Sequence, residues 1–563
     1  MHFGGEYRRE QVYDFYRSNA RGSLYFDGTQ GPWSTDASLT DANVAYLADF
    51  LAGRPDKNYS NITWGDPTRT VKINTFAVYA QDAWKVRPRL SVTYGIRYDY
   101  EGVPYTGNQD LSVFDPSLSA GLAVVGKDTR KLYNNYLGAF SPRVGFAYQL
   151  DSSARTVLRG GYGLYYDSIY LRELLYNTWL TNGGVFGPQF NPAGSNQVAT
   201  TSAIGGTITA GSPVFNSYAD ALAGQGTVAI STFDRNFRPS YTQSYDLNVQ
   251  HSVTKSILAQ IGYVGTKGTH LTGIYDINQG AVGSANVSAA ALQASRPYYS
   301  QFSNFGVINE LRSNLNSNYN SLQATLKLAN FHGLSSQLGY TWSHALDYET
   351  GLLPYLPQDS KNERAEYGNS DYDVRHAFSG FLSYALPYWG GPKRLTKGWE
   401  FDTGFNFHGG VPFTVASSSN PSGNGEGNDR AQLQVADPFK GVSHAIVSSS
   451  GGSKYVQWFS PTAFADAAPD TYATTRRNQF NNPGYYDFDL AIVKNTVITE
   501  RVSAQLRADI FNLFNHANLS PLGVLSNASE KGTIGSTVGV ALGNPGIGPG
   551  EPLNAQFSLR VSF

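Results

Sequence analysis

An alternation of apolar and polar side chains with a period of two, held for about ten residues at a time and repeated along the chain, restricts the possible folds most strongly. Its clearest instance is Leu90-Ser91-Val92-Thr93-Tyr94-Gly95-Ile96-Arg97-Tyr98-Asp99-Tyr100. Successive strand side chains point to opposite faces, so Leu90, Val92, Tyr94, Ile96, Tyr98 and Tyr100 share one side and Ser91, Thr93, Gly95, Arg97 and Asp99 the other. The pattern returns at Val144/Phe146/Tyr148, Tyr245/Leu247/Val249, Ile257/Ala259/Ile261/Tyr263, Leu322/Ala324/Leu326/Leu328, Leu338/Tyr340/Trp342 and Trp399/Phe401/Thr403/Phe405/Phe407. One such strand would suit a soluble sandwich as well as a bilayer. The connections separate the two readings.

Short turns are expected near Lys85 to Pro88, Asp151 to Ala154, Thr254-Lys255, Phe331 to Gly333 and Asn495 to Glu500. Long Gly/Ser/Asn-rich segments are expected near 28–70, 101–139, 168–241, 267–317, 347–372, 410–484 and 514–554. Transmembrane barrels segregate short periplasmic turns from long extracellular loops in this way, and a tilted strand of about ten residues crosses the bilayer. Charged residues are 15% and aromatics 14% of the chain, a balance suited to a lipid-facing surface. No apolar run is long enough for a transmembrane helix, so a membrane location requires a closed or curved sheet. The expected fold is all-β: a transmembrane antiparallel outer-membrane β-barrel of about 15 strands. Within the first long loop, Asp41 to Gly53 reads as a short helix stopped by glycine. The start, Met1-His2-Phe3-Gly4-Gly5-Glu6-Tyr7, lacks the regions of a signal peptide and reads as the middle of a strand, so the first residues of the mature protein are expected upstream.

Several segments resemble the barrel of Oar-like TonB-dependent receptors, at intervals over nearly the whole chain. They are Phe76-Ala77-Val78-Tyr79-Ala80-Gln81-Asp82-Ala83-Trp84-Lys85 leading to Tyr94-Gly95-Ile96-Arg97-Tyr98-Asp99, then Phe140-Ser141-Pro142-Arg143-Val144-Gly145-Phe146-Ala147-Tyr148 and Gly262-Tyr263-Val264-Gly265-Thr266-Lys267-Gly268-Thr269-His270-Leu271. Further segments are Asn318-Tyr319-Asn320-Ser321-Leu322-Gln323, Ser370-Asp371-Tyr372-Asp373-Val374-Arg375-His376-Ala377-Phe378 and Asp509-Ile510-Phe511-Asn512-Leu513-Phe514-Asn515-His516. The resemblance implies a bacterial outer-membrane location, a barrel of about 22 strands, an N-terminal plug and a TonB-contacting segment. It implies uptake of a large nutrient such as a glycan, peptide or metal chelate. The plug is not recognised in this sequence, and residues 1–563 are expected to be a partial barrel domain that meets TonB only through the missing N-terminal region. The terminal Phe563 resembles the signal read by the barrel-assembly machinery. Other expected partners are outer-membrane lipid alone, with no nucleic acid, and a monomeric barrel. The alternative is a structural or adhesive surface protein acting through its loops.

No catalytic, cofactor-binding or metal residue is expected, and the ligand-binding residues are unknown from sequence. A net charge of -1 offers no field for nucleic acid, and the absence of cysteine excludes thiol chemistry. The nine His are scattered, without a His-Glu-x-x-His pattern. His344 with Asp347, and Asp373 with His376, have i, i+3 spacing but sit at strand ends, where loop hydrogen bonding is the better reading. Gly160-Gly161-Tyr162-Gly163 falls inside a strand with no following helix, unlike a phosphate loop. Ser422-Gly423-Asn424-Gly425-Glu426-Gly427-Asn428-Asp429 lacks the acidic spacing of a calcium loop and reads as flexible extracellular loop. Trp84, Tyr98, Tyr100, Trp342 and Trp399 suit aromatic girdles, while Tyr298-Tyr299 and Tyr485-Tyr486 are loop aromatics available to a ligand. Leu90, Val92, Tyr94, Ile96 and Tyr98 are expected to face lipid, with Arg97 and Asp99 facing the lumen. Asp487, Asp489, Arg507 and Asp509 are expected on one polar face, with Asp489 and Arg507 as near neighbours.

Overall fold

A computed structural model describes all residues except 16–23, 37, 40, 55–61, 65–67, 107–110, 120, 169–198, 202–227, 351–355, 418, 443–445, 449–453, 457, 517, 519–537 and 540–551. Most of the expected loops 168–241 and 514–554 therefore lie outside the described residues. A 16-stranded sheet dominates the molecule, and fourteen of its strands form one continuous ladder in chain order. They are β1 (His2–Phe15), β2 (Thr68–Arg87), β3 (Leu90–Glu101), β4 (Phe140–Gln149), β5 (Thr156–Tyr166), β6 (Tyr241–Ser252) and β7 (Ile257–Asp276). The second half continues with β8 (Phe305–Phe331), β9 (Leu334–Asp347), β10 (His376–Ala385), β11 (Trp399–His408), β12 (Tyr485–Val497), β13 (Ser503–Phe511) and β14 (Asn554–Ser562). Two further strands leave this path: Val228–Phe233 pairs in parallel with β8, and Gly368–Asn369 pairs with β9. Every neighbouring pair in the ladder is antiparallel, as connections between adjacent strands allow.

Local chemistry sets the tight turns. Phe331 pairs with Leu334, and the two residues between them, His332 and Gly333, have φ of 52° and 86°. Positive φ at both central positions is the type I′ geometry whose twist matches that of the flanking strands. Between β4 and β5, the Asp151 carboxylate accepts hydrogen bonds from Ser153 Oγ at 2.7 Å, Arg155 N at 2.9 Å and Thr156 N at 2.6 Å. These bonds to the charged form hold Asp151 well below the ordinary carboxylate range. One connection on the same side, 386–398, is longer and contains the helical turn Lys393–Thr396. The expected helix in the first long loop runs over Ala42–Leu51, with the Asp41 side chain accepting from Asn43 N at its start and Gly53 at φ 64° beyond its end.

The faces follow the alternation. In the β2–β3–β4 register, Ala80 lies beside Ile96 and Ile96 beside Pro142, while Tyr79 lies beside Arg97 and Arg97 beside Ser141. Ile96, Val144, Leu247, Ile261, Trp342, Leu506 and Leu559 all fall on the outward face and are exposed. Bare apolar surface repeated on strand after strand is what hydrocarbon, not water, can cover. The inward face is polar: Arg97 donates to Asp99 at 2.7 Å and to Glu6 at 3.3 Å, and Ser383 donates to Glu400 at 2.6 Å. The phase expected for Arg97 and Asp99 is the one observed. Across β12 and β13, Asp489 and Arg507 also share the inward face, but Arg507 lies opposite Val493 and its guanidinium binds Asp402 at 3.2 Å and Asp509 at 2.8 Å. Asp489 instead accepts from Asn512 N at 2.9 Å, so the expected direct Asp489 and Arg507 neighbourhood is corrected.

The expected loop 267–317 is shorter than its composition suggests. β7 runs on to Asp276 and β8 begins at Phe305, so both strands project past the length a bilayer needs. Ile274 and Leu311, paired in this extension, are buried. Burial of such inward apolar side chains rewards continued pairing, despite the many Asn, Ser and Gly nearby.

Candidate ligand-binding site

Above the strands, the described loop segments fold into a packed cap. One apolar cluster joins Val71 and Ile73 of β2 to Leu311 of β8 through Leu132, Tyr133, Phe233 and Phe237. Strands so far apart in the ladder are bridged across the inside of the curved sheet, so this cluster reaches over the mouth. A second cluster gathers Leu122, Ile230, Phe302, Phe305 and Ile308, with the Phe302 and Phe305 rings 5.1 Å apart. A third is built on Phe413, Phe459, Phe464 and Phe480 from the connection between β11 and β12.

Three buried ion pairs hold the cap: two tie loop segments to the ends of β7 and β9, and one ties two loop segments to each other. Arg296 Nη1 binds Asp276 at 3.1 Å and also donates to Asn278 O at 2.7 Å. Arg430 Nη1 reaches both oxygens of Glu366, at 2.9 and 2.7 Å, and its Nε donates to Thr475 O at 3.0 Å. Arg477 binds the Asp347 carboxylate and donates to the carbonyls of Asp347 and Glu366, each at 2.8 Å. Guanidinium groups suit this role because their planar fork can satisfy several buried acceptors at once.

The segment Ser422 to Asp429 is the hub of the cap rather than a free loop. Ser422, Asn424 and Asp429 are buried, Ser422 N donates to Asp429 at 2.7 Å, and Asn424 Nδ2 donates to Gln358 O and to Tyr472 Oη. Its glycines permit this packing: Gly425 has φ 88°, and a Cβ there would meet Leu292 at 2.9 Å. Nearby, both oxygens of Glu426 accept from Ser360 Oγ, at 2.9 and 3.1 Å, and Ser360 Oγ accepts from Asp276 N at 2.9 Å. Burial first, and the neighbouring Asp276 second, push the Glu426 carboxyl up to about 9, so it carries a proton at neutral pH. Burial also raises Asp276 and Asp429.

The paired motifs resolve differently from their spacing. His344 Nδ1 lies 3.2 Å from both Asp373 oxygens, and Arg375 bonds Asp373 at 3.1 Å and His344 Nε2 at 3.0 Å. Asp347 serves Arg477, and His376 meets Tyr340 Oη at 2.8 Å. Among the loop aromatics, Tyr298 packs on Phe114 at 4.8 Å while Tyr299 is exposed. Tyr485 and Tyr486 belong to β12, not to a loop, and Tyr485 stacks on His408 at 5.2 Å. Gly160 to Gly163 lie within β5 as expected; Trp84, near the turn that ends β2, and Trp342, in the middle part of β9, are both exposed. Among the described residues no cluster of three His, Asp or Glu is placed to hold a metal. The cap arginines and their acids come from distant positions with no local motif, and no signal in the sequence marks them.

This architecture can bind at an outer mouth and line a wet interior. A family model described as "Outer membrane beta barrel domain" matches residues 1–541. The chain belongs to this outer membrane β-barrel family. Its location is accordingly the bacterial outer membrane, with the outward apolar face against lipid. Among curated proteins no sequence matches it. Solved structures similar to this barrel include the outer membrane transporter YddB from Escherichia coli, at 12% identity and TM-score 0.46 over 100% of this chain and 50% of that one. A ferric enterobactin receptor from Pseudomonas aeruginosa aligns at 13% identity and TM-score 0.41, over 88% of this chain and 46% of that one. The copper transporter OprC aligns at 11% identity and TM-score 0.39, over 89% and 49%. The barrel thus spans about half the length of the solved proteins it matches.

Proposed function

We propose that residues 1–563 are the barrel portion of a TonB-dependent receptor, admitting a large nutrient ligand captured at the extracellular cap. The observation that carries this reading is the combination of a lipid-facing wall, a polar inner face and a cap folded over the mouth. The receptor-like segments around Tyr79, Tyr94, Pro142, Tyr263 and Asp371 supply the TonB-dependent part of it. On this reading the barrel is not an enzyme, works with a plug and with TonB, and is delivered to the membrane through the assembly signal ending at Phe563. Glycans, peptides and metal chelates are the ligand classes in view.

The test is accumulation of radiolabelled ferric enterobactin, a maltodextrin and an oligopeptide by cells producing the receptor, with TonB present or deleted. Uptake of one of them that needs both the receptor and TonB supports the proposal. Receptor-dependent adhesion to cells or matrix with no TonB-dependent uptake of any probe would favour the structural alternative.

A further inference from the structure

The inner wall of β3–β6 carries an arginine that is held in place and left unneutralised. Arg143 lies opposite Gly95 on one neighbouring strand and opposite Gly163 on the other, so no side chain from either position covers it. Its guanidinium carbon sits 4.4 Å from the centre of the Tyr165 ring. That ring lies back over Gly163, where a Cβ would meet its atoms at 2.5 to 2.8 Å, so glycine is what allows the ring to lie flat. A cation over a ring face is attracted by the ring quadrupole, which orients Arg143 without discharging it.

Beside this stack the wall is bare. Gly145 lies opposite both Thr93 and Gly161, and a Cβ on Gly145 would meet only Gly160 O, at 3.7 Å. The result is a recess of about 500 Å³ lined by Arg97, Arg143, Gly145, Gly161, Tyr165 and Asp246 among others. Of the other charges in it, Arg97 is paired with Asp99 and Glu6, and Asp246 accepts a hydrogen bond from Asn248 Nδ2 at 2.7 Å and keeps its negative charge. Arg143 has neither a hydrogen bond nor an ion pair among the described residues.

We propose that this recess binds a carboxylate-bearing ligand, with Arg143 as counter-charge and the glycine floor receiving the flat group beside the carboxylate. A guanidinium fork matches the two carboxylate oxygens. One free positive charge, with Asp246 on the same floor, fits a monoanion better than a phosphate dianion. The inference rests on the proposed role of the barrel interior as a ligand path, but its test does not need transport.

Para-fluorobenzoate is titrated onto the purified chain in detergent and followed by fluorine NMR, with para-fluorobenzamide as the uncharged control. The expected result is saturable binding of the benzoate only. Removing a charged hydrogen-bond partner should weaken it about ten- to hundredfold in Arg143→Gln. Gly145→Val, which fills the floor where nothing stands in its way, should abolish binding with the charge intact. Equal binding of the benzamide, or wild-type binding by both folded variants, would overturn the proposal. Competition distinguishes the source of the carboxylate: displacement by a polyglutamate peptide at lower concentration than by free succinate assigns it to a polypeptide segment, and the reverse order to a small ligand. Binding retained in a protein that shows no TonB-dependent uptake would count against the transport reading and leave this site standing.

Discussion

Ile96 stands about 20 Å along β3 from the residue that opens it, which at barrel tilt brings it near the middle of the hydrocarbon. It is half exposed on the outward face, between Ala80 and Pro142. Ile96→Arg should therefore destabilise the folded barrel by about 2–4 kcal/mol, measured by urea unfolding in lipid vesicles. A loss below about 0.5 kcal/mol would place Ile96 away from the midplane. The inward neighbour differs: Arg97 is already paired with Asp99 and Glu6, and Arg97→Gln should leave the lipid-facing surface unchanged. Another residue whose placement matters is Lys494, which shares a pairing face with Trp399 and Leu506 yet lies at the turn end of β12. Its ammonium donates to the carbonyls of Lys397 at 2.8 Å and Asn495 at 3.2 Å, a snorkelling arrangement at the membrane edge.

At the scale of elements, the cap contains the chemistry that should respond to pH. The Glu426 carboxyl is raised from an ordinary 4.5 to about 9 in the folded cap. A raised carboxyl favours the folded form fully below its unfolded value, and this preference is lost as pH rises from about 4.5 through about 9. Amide hydrogen exchange in the Ser422 to Asp429 segment should therefore accelerate, relative to the intrinsic rate, between pH 6 and pH 9. Glu426→Gln should flatten that response, and an unchanged pH profile in this variant would remove Glu426 from the account. Arg477→Ala strands the buried Asp347 carboxylate and should weaken the cap by about 3–5 kcal/mol, read as protease sensitivity of the loops while the strands stay protected. β3 was legible in the sequence because a strand with one face in lipid and one in water must alternate cleanly. The extensions of β7 and β8 were not, because above the membrane both faces meet protein and Asn, Ser and Gly are tolerated in the ladder. Ser422 to Asp429 has a loop composition, yet long-range partners such as Gln358, Ser360 and Tyr472 make it a packed hub.

For the whole molecule, sixteen strands, fourteen of them in a single ladder, bracket the expected number of about fifteen. Backbone groups in hydrocarbon must be paired within the protein, which is why the wall is one hydrogen-bonded sheet while the cap can be irregular. The segregation of tight turns such as His332-Gly333 from the long connections was readable in the sequence, but the apolar bridge from β2 to β8 was not. It depends on residues brought together only when the sheet curves. One face of that sheet meets lipid and the other water, and the chain's lack of cysteine allows a direct measurement of both. Single cysteines placed one at a time from position 90 to position 99, in the barrel reconstituted in lipid, can be labelled with a nitroxide and tested against oxygen and a water-soluble nickel chelate. The expected result is oxygen-dominated, lipid-phase accessibility at 90, 92, 94, 96 and 98 and chelate accessibility at 91, 93, 97 and 99. An absence of alternation, or the opposite phase with position 97 in lipid, would contradict it.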